Sequence, residues 1–468
     1  MRQWLVDEIA VWQSEEILSA GQSARLLDLY ELQTEAADRK YSVALVALMS
    51  VAALLVGLAV LLLIGYNWQE MSAALKLVTI FGVITATHAT GFYLRFRRGI
   101  GRIDSFRKYA VAGRRLARLS EVAFFLGCFF YGAGIFLVAQ IFHLNAHYPG
   151  LVWWWAVGVL PFALCLRTPL LHILFVALLA IWGGMEVIGF NDLDGWLFGR
   201  WRHLPNAAYS LPLLALPGLA WAYRNRSVVT VGLYVPLIAW WAILQPFAWD
   251  CEEETVYFIG AVGGLLLVIA ESHTAGSRFA IPFRVWGVLI VAGLLLPLSF
   301  YDFNAHIMND ARNLGGLILP SVTLLTAVVS IVLAAFAQRE VERETVLSAD
   351  RFRRIMQRQW LPLGLVLLMA FLALWNTIVQ EPLLPTIAVN VAMVAVSFWL
   401  MLVGLRDDRS PPFVVGVMYF LLWTVLRYID LFGDFGGMVG AALMFFLCGA
   451  ALFGVALLWR RRKETGHA

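Results

Sequence analysis

The chain is organised by long apolar runs separated by short polar stretches. Runs of 17 or more residues occupy 42–64, 72–94, 120–142, 150–166, 169–189, 207–223, 227–248, 255–271, 279–300, 314–336, 361–380, 385–404, 411–430 and 436–459. At about 1.5 Å of helical rise per residue, each is long enough to cross a hydrocarbon layer about 30 Å thick. The pattern therefore predicts an all-α fold, a polytopic transmembrane helical bundle of about fourteen spans. The runs at 150–166, 207–223 and 255–271 are the shortest, and the first two contain Pro161, Pro212 and Pro217.

The basic residues give a second, independent account of the same spans, because short loops that stay in the cytoplasm accumulate Lys and Arg. With the N-terminus inside, thirty of the 35 fall on the inner side, nine of them between Arg95 and Arg118 and six between Arg339 and Arg358. Outer loops hold Arg200, Arg202 and Arg312, while Lys76 and Arg427 lie inside runs. One missed or invented helix would invert every later loop, so the asymmetry predicts an even number of spans with both termini cytoplasmic.

Composition agrees. The chain is 61% hydrophobic and 14% charged, against about 25% charged residues in soluble domains. The net charge of +4 then reflects inner-leaflet contact, and no nucleic-acid motif accompanies it. Cys128, Cys165 and Cys448 fall inside runs and only Cys251 reaches an outer loop, which leaves no disulfide framework. Residues 1–40 are too polar for a signal peptide, so the first run is expected to act as its own insertion signal.

Residues 1–40 read as a cytoplasmic helical hairpin. Trp4, Leu5, Ile9 and Trp12 recur at helical spacing, and Ser19 with Gln22 has the form of a capping box before a second helix with Leu26, Leu29, Tyr30 and Leu32 on one face. Two such helices bury little alone, so packing on inner loops or on a protein partner is expected. The first transmembrane hairpin covers 41–94. In 95–119, within "RRGIGRIDSFRKYAVAGRRLARL", the residues Ile103, Phe106, Ala110, Gly113 and Leu116 step by three or four among many arginines. That pattern predicts an amphipathic helix in the anionic inner headgroup layer, although a basic connector explains the charge equally well. A transmembrane bundle at 120–336, a charged connector at 337–360, a four-span bundle at 361–460 and a cytoplasmic tail at 461–468 complete the organisation.

Nine tryptophans, from Trp68 to Trp249, fall near outer ends, as an interfacial aromatic belt requires. Three consecutive rings at 153–155 cannot all face one headgroup layer, so some are expected between helices. Gly260/Gly264 and Gly436/Gly440 have the spacing of close helix approaches.

"IGYNWQEMSAALKL" at 64–77, the stretch from "FFLGCFFYGAG" at 124 to "LLAIWGG" at 184, and the N-terminal "SAGQSARLLDLYE" resemble bacterial membrane proteins of domain-of-unknown-function family 2157. The tail "LRYIDLFGDFGGMVGAALMFF" is similar to the closing segment of longer members. The resemblance covers residues 1 to about 190 and about 405 to 464. It implies a multi-pass protein of the bacterial inner membrane and brings no established activity or catalytic residue.

Candidate chemistry lies mainly at outer ends. Gln140, His143 and His147 close the apolar run of 120–142, with Asn145 between the histidines. His143 and His147 have i, i+4 spacing, as in a metal pair, but Tyr148-Pro149-Gly150 argues that the helix ends first, and no further ligand lies nearby. An outer-surface cap is the plainer reading, with Gln140 satisfied between helices and the histidines in water. Arg427 sits inside a run, where a charge is costly unless paired, and Asp430 three residues on lies within ion-pair reach. Asn67 and Trp68, at the first outer turn, are either helix-end chemistry or part of the same vestibule. His88, Glu186 and Asn376 are scattered polar groups of the kind usually satisfied inside a bundle. Asp192 and Asp194 have a spacing used by some lipid-linked glycosyltransferases, and "DCEEE" at 250–254 is an acidic turn. No Walker loop, dinucleotide fingerprint, nucleophile elbow or zincin motif is present, so no cofactor is expected.

Transport or flipping of a small solute or envelope lipid near Gln140, His143, Arg427 and Asp430 is the function this pattern favours. The alternatives are a sensor or scaffold acting through residues 1–40, and a glycosyltransferase-like enzyme using Asp192 and Asp194.

Overall fold

A computed structural model describes residues 72–96, 106–143, 148–166, 168–189, 206–248, 255–273, 277–310, 318–337, 349–407 and 409–432, with isolated positions near the N-terminus and at Leu55. Every regular element among the described residues is helical. In chain order these are α1 (Ala73–Phe96), α2 (Phe106–Ile141), α3 (Tyr148–Cys165), α4 (Pro169–Gly184) with a π turn at Met185–Gly189, α5 (Asn206–Arg224), α6 (Val228–Ala248) and α7 (Thr255–Ser272). They continue with α8 (Ala280–Leu298), α9 (Tyr301–Asp310), α10 (Ile318–Ala337), α11 (Ala349–Ile378), α12 (Leu383–Arg406) and α13 (Ser410–Phe432).

Eleven of these helices are long and apolar enough to cross a membrane, and the protein is a polytopic membrane protein. The runs expected at 42–64 and 436–459 lie outside the described residues. The run at 207–223 forms α5 but is not one of the eleven, because Asn206, Tyr209, Ser210, Tyr223 and Arg224 dilute its apolar character. Between α8 and α10, where a loop was expected, the chain forms the short amphipathic α9. The apolar surface that such a protein must show to lipid is present. On α10, Leu324, Leu325, Val328, Val329, Ile331, Val332 and Phe336 are all exposed.

The chain divides into two compact units, residues 1–171 and 172–468. In the first, α2 packs on α1 and α3. The basic segment expected to lie in the headgroup layer runs without a break into the following span, so that α2 is 36 residues long. Glycines let its partners approach. Trp155 of α3 lies flat on Gly132 of α2, and Tyr131 of α2 lies on Gly158 of α3, each ring filling the space a Cβ would take. The Trp155 indole N–H then donates to the Cys128 carbonyl at 2.9 Å, while Trp154 stays exposed. One ring of the triplet is thus half-buried against the neighbouring helix, as the sequence argument required.

The isolated N-terminal positions include the capping box. Gln22 N–H donates to Ser19 Oγ at 3.3 Å, and Ser19 N–H donates to Gln22 Oε1 at 3.0 Å.

In the second unit α7 is the central helix, and most of its residues are buried. Gly260 and Gly264 face α11 at Met369 and Val366, while Gly263 receives Ile290 and Val291 of α8. The Gly260/Gly264 spacing therefore does mark a close approach. One core joins Tyr257 and Leu267 of α7, Val291 and Leu295 of α8, Ala327 of α10, Val366 and Met369 of α11, Met393, Val396 and Leu400 of α12, and Tyr419 of α13. The helices on either side of the charged segment 337–360 share this core.

Candidate functional site

Antiparallel α8 and α12 carry a polar cluster at each end. At the end formed by the C-terminus of α8, Arg427 of α13 donates to Asp430 at 2.6 Å and to the Ser299 hydroxyl at 3.2 Å. Its guanidinium lies over the Phe300 ring, 4.6 Å from the centroid. Arg427 is only 6% exposed, so the pair expected from its i, i+3 spacing is buried on the arginine side and open on the Asp430 side.

Four further side chains extend this network. Asn390 of α12 donates to the Ser299 carbonyl at 3.0 Å and accepts from the Trp423 indole at 2.9 Å. Asn304 of α9 donates to the Thr386 hydroxyl at 3.0 Å, which ties α9 to α12. Among the described residues two buried atoms here have no hydrogen-bond partner, the Nε of Arg427 and the Oδ1 of Asn304. A donor and an acceptor left over beside a held arginine can receive an anionic or hydrogen-bonding group.

At the opposite end Glu271, the penultimate residue of α7, has no exposed surface and meets three arginines. Arg284 of α8 donates to it at 2.7 Å, Arg406 of α12 at 3.0 Å and Arg358 of α11 at 3.3 Å. Asp407 accepts from Arg284 at 2.8 Å and from Arg406 at 3.0 Å. Arg358 also donates to the His273 carbonyl, and Gln359 to Ser272 and the Val268 carbonyl. The C-terminal ends of α7 and α12, the N-terminal part of α8 and the interior of α11 are thus tied together. Burial pushes the Asp407 carboxyl up, but hydrogen bonds from Arg406 and Arg284 outweigh this and hold it below the usual carboxylate range. Arg284, one of the thirty basic residues assigned to the inner side, lies inside α8 and is buried, because Glu271 and Asp407 compensate it.

The remaining expected residues separate by location. Gln140 is exposed at the end of α2, not satisfied between helices, and His143 follows it, exposed, with a backbone φ of 47° that ends the helix. Both belong to the first unit, whereas Arg427 and Asp430 belong to the second. His147, Asn67, Asp192, Asp194 and the 250–254 turn lie outside the described residues. His88 bonds its own helix at the Ile84 carbonyl, 2.9 Å away, and packs on Phe124 and Phe162. Asn376 is buried in α11, and Glu186 is buried in the π turn.

Residues 10–172 match the family model described as predicted membrane protein (DUF2157). The N-terminal segment of the resemblance is therefore real, and both clusters built around Arg427 and Glu271 lie beyond it. No curated protein and no solved structure matches the chain.

Proposed function

We propose that the protein handles a small solute or envelope lipid bearing an anionic group, by transport or flipping across the bacterial inner membrane, with Arg427 as the contact. One observation carries this reading. Arg427 is buried in an apolar bundle, yet Asp430, Ser299 and Phe300 leave its Nε without a partner. A buried charge in a membrane is costly, and where it is kept a ligand contact is a common reason. The asymmetry of the basic residues supports this reading, since fourteen spans with both termini in the cytoplasm would turn this end of the bundle outward. Between it and the Glu271 end, the core contact of α8 and α12 is apolar, with Val291, Leu295, Val396 and Leu400 all buried. A polar solute at Arg427 crosses only when these helices move apart.

The test is thiol accessibility in a background without the four native cysteines. Ser299→Cys and Asn390→Cys are exposed to a small membrane-impermeant reagent from each side of the membrane. Labelling from outside, blocked by an anionic competitor, is the expected result. Complete protection from both sides, in protein that folds and inserts, contradicts the outward site.

A second reading, a sensor or scaffold acting through residues 1–40, has the Ser19–Gln22 capping box in its favour. It predicts that deleting 1–40 abolishes the cellular phenotype while Arg427→Gln leaves it intact.

A further inference from the structure

Among the described residues the Glu271 cluster is not charge-balanced. Three guanidinium groups, of Arg284, Arg358 and Arg406, face two carboxylates, of Glu271 and Asp407, which leaves one positive charge over. An excess positive charge that is only partly hydrated attracts an anion. Exposure locates where that ion would come from. The Arg284 side chain is 11% exposed and Glu271 not at all, whereas Arg358 and Arg406 are 26% and 39% exposed.

Those two arginines donate to the same oxygen, Glu271 Oε2, so their guanidinium groups are held side by side. Arg358 uses Nε and Nη2 in the cluster, and Arg406 likewise uses Nε and Nη2. Their Nη1 groups take no part in these bonds. Paired guanidinium forks suit the tetrahedral oxygens of a phosphate better than any single lysine does. A third donor, the Nε of Arg284, is buried without a partner among the described residues.

We propose that Arg358 and Arg406, held by Glu271, form a binding site for one phosphate group at the cytoplasmic end of the second unit. The phosphate contact itself does not depend on Arg427, although its cytoplasmic placement rests on the same topology as the outward reading of that residue. The phosphate comes either from an anionic lipid headgroup of the inner leaflet or from a soluble phosphate. The lipid source is favoured by the sequence of α11, in which Arg351, Arg353 and Arg354 precede Arg358, as basic clusters beside an anionic leaflet do.

Charge counting supplies variants that separate binding from mere structural tying. Arg358→Gln makes the cluster neutral while leaving Glu271 with Arg284 and Arg406. Asp407→Asn raises the excess to two positive charges and releases donors of Arg284 and Arg406. Arg278→Gln, at an exposed position outside the cluster, is the control. Full-length protein in a neutral detergent is titrated with inorganic phosphate, with short-chain phosphatidylglycerol and with short-chain phosphatidylcholine, and thermal unfolding reports binding.

Phosphatidylglycerol is expected to stabilise the wild type. Arg358→Gln weakens that binding by about tenfold, the loss of roughly one charge-assisted hydrogen bond. Asp407→Asn strengthens it and Arg278→Gln leaves it unchanged. Stabilisation by inorganic phosphate with the same variant order supports the site and identifies a soluble source. Equal stabilisation of all four proteins by every probe, stabilisation by phosphatidylcholine alone, or no stabilisation of any overturns the proposal. Should Arg358→Gln fail to fold, Asp407→Asn decides: no gain in phosphate affinity there also overturns it.

Discussion

Arg284 donates a 2.7 Å hydrogen bond to Glu271, a carboxylate with no exposed surface. The two residues lie 13 positions apart, near the end of α7 and the start of α8, so the bond fixes how these neighbouring helices leave the apolar core. Glu271→Ala leaves the buried Arg284 with Asp407 as its remaining carboxylate partner and removes the oxygen that Arg358 and Arg406 share. Breaking a buried pair in this way costs about 3–5 kcal/mol, and the cost here falls toward the lower figure because Arg358 and Arg406 retain contact with water. Adding Arg284→Met to Glu271→Ala restores part of the loss. Unfolding titrations of the single and double variants measure both effects.

Asp407 gives the cluster a pH dependence of defined sign. Its carboxyl is held below the usual range, so in the folded protein it stays ionised at pH values where an unfolded chain has begun to bind the proton. The stability it contributes is fully present above the ordinary carboxylate value of about 3.9 and disappears as pH falls through its own lower value. Thermal midpoints measured from pH 7 downward should drop through this acid range in the wild type. The drop is smaller in Asp407→Asn, which has no such proton to take up.

In the first unit the reciprocal pairs Trp155 on Gly132 and Tyr131 on Gly158 leave no space for a Cβ. Gly132→Ala must push the indole off α2 and break its bond to the Cys128 carbonyl, at a cost of about 1–3 kcal/mol for overpacking. Hydrogen–deuterium exchange across 128–134 and 153–158 rises in that variant. Gly150→Ala, where nothing lies within 4 Å of the added atom, leaves exchange unchanged.

Periodicity and length made the helices legible because lipid imposes one rule on every span. Local spacing also showed the Arg427–Asp430 pair, three residues apart on one helix, and the Ser19–Gln22 box. The Glu271 cluster was hidden for a physical reason. Its arginines lie 13, 87 and 135 positions away, and the approach is made by packing of α7 against α8 and α11 and of α8 against α12. The one sequence signal was a lone acid closing the apolar run of α7, with Arg284 at the matching level of the next helix. Ser299, Asn304 and Asn390 escaped notice likewise, since each meets the network across helices. Gln140 and His143 are the converse case. Their polar density in sequence reflects the end of α2, where backbone geometry turns at His143.

The most direct measurement is mass spectrometry of the protein in native-lipid discs, comparing wild type, Arg427→Gln and Arg358→Gln for retained species. The account predicts an acidic species held by the wild type and by Arg358→Gln and lost from Arg427→Gln. Identical retained species in wild type and Arg427→Gln would contradict it, and would leave the arginine as a structural tie between α13 and the end of α8.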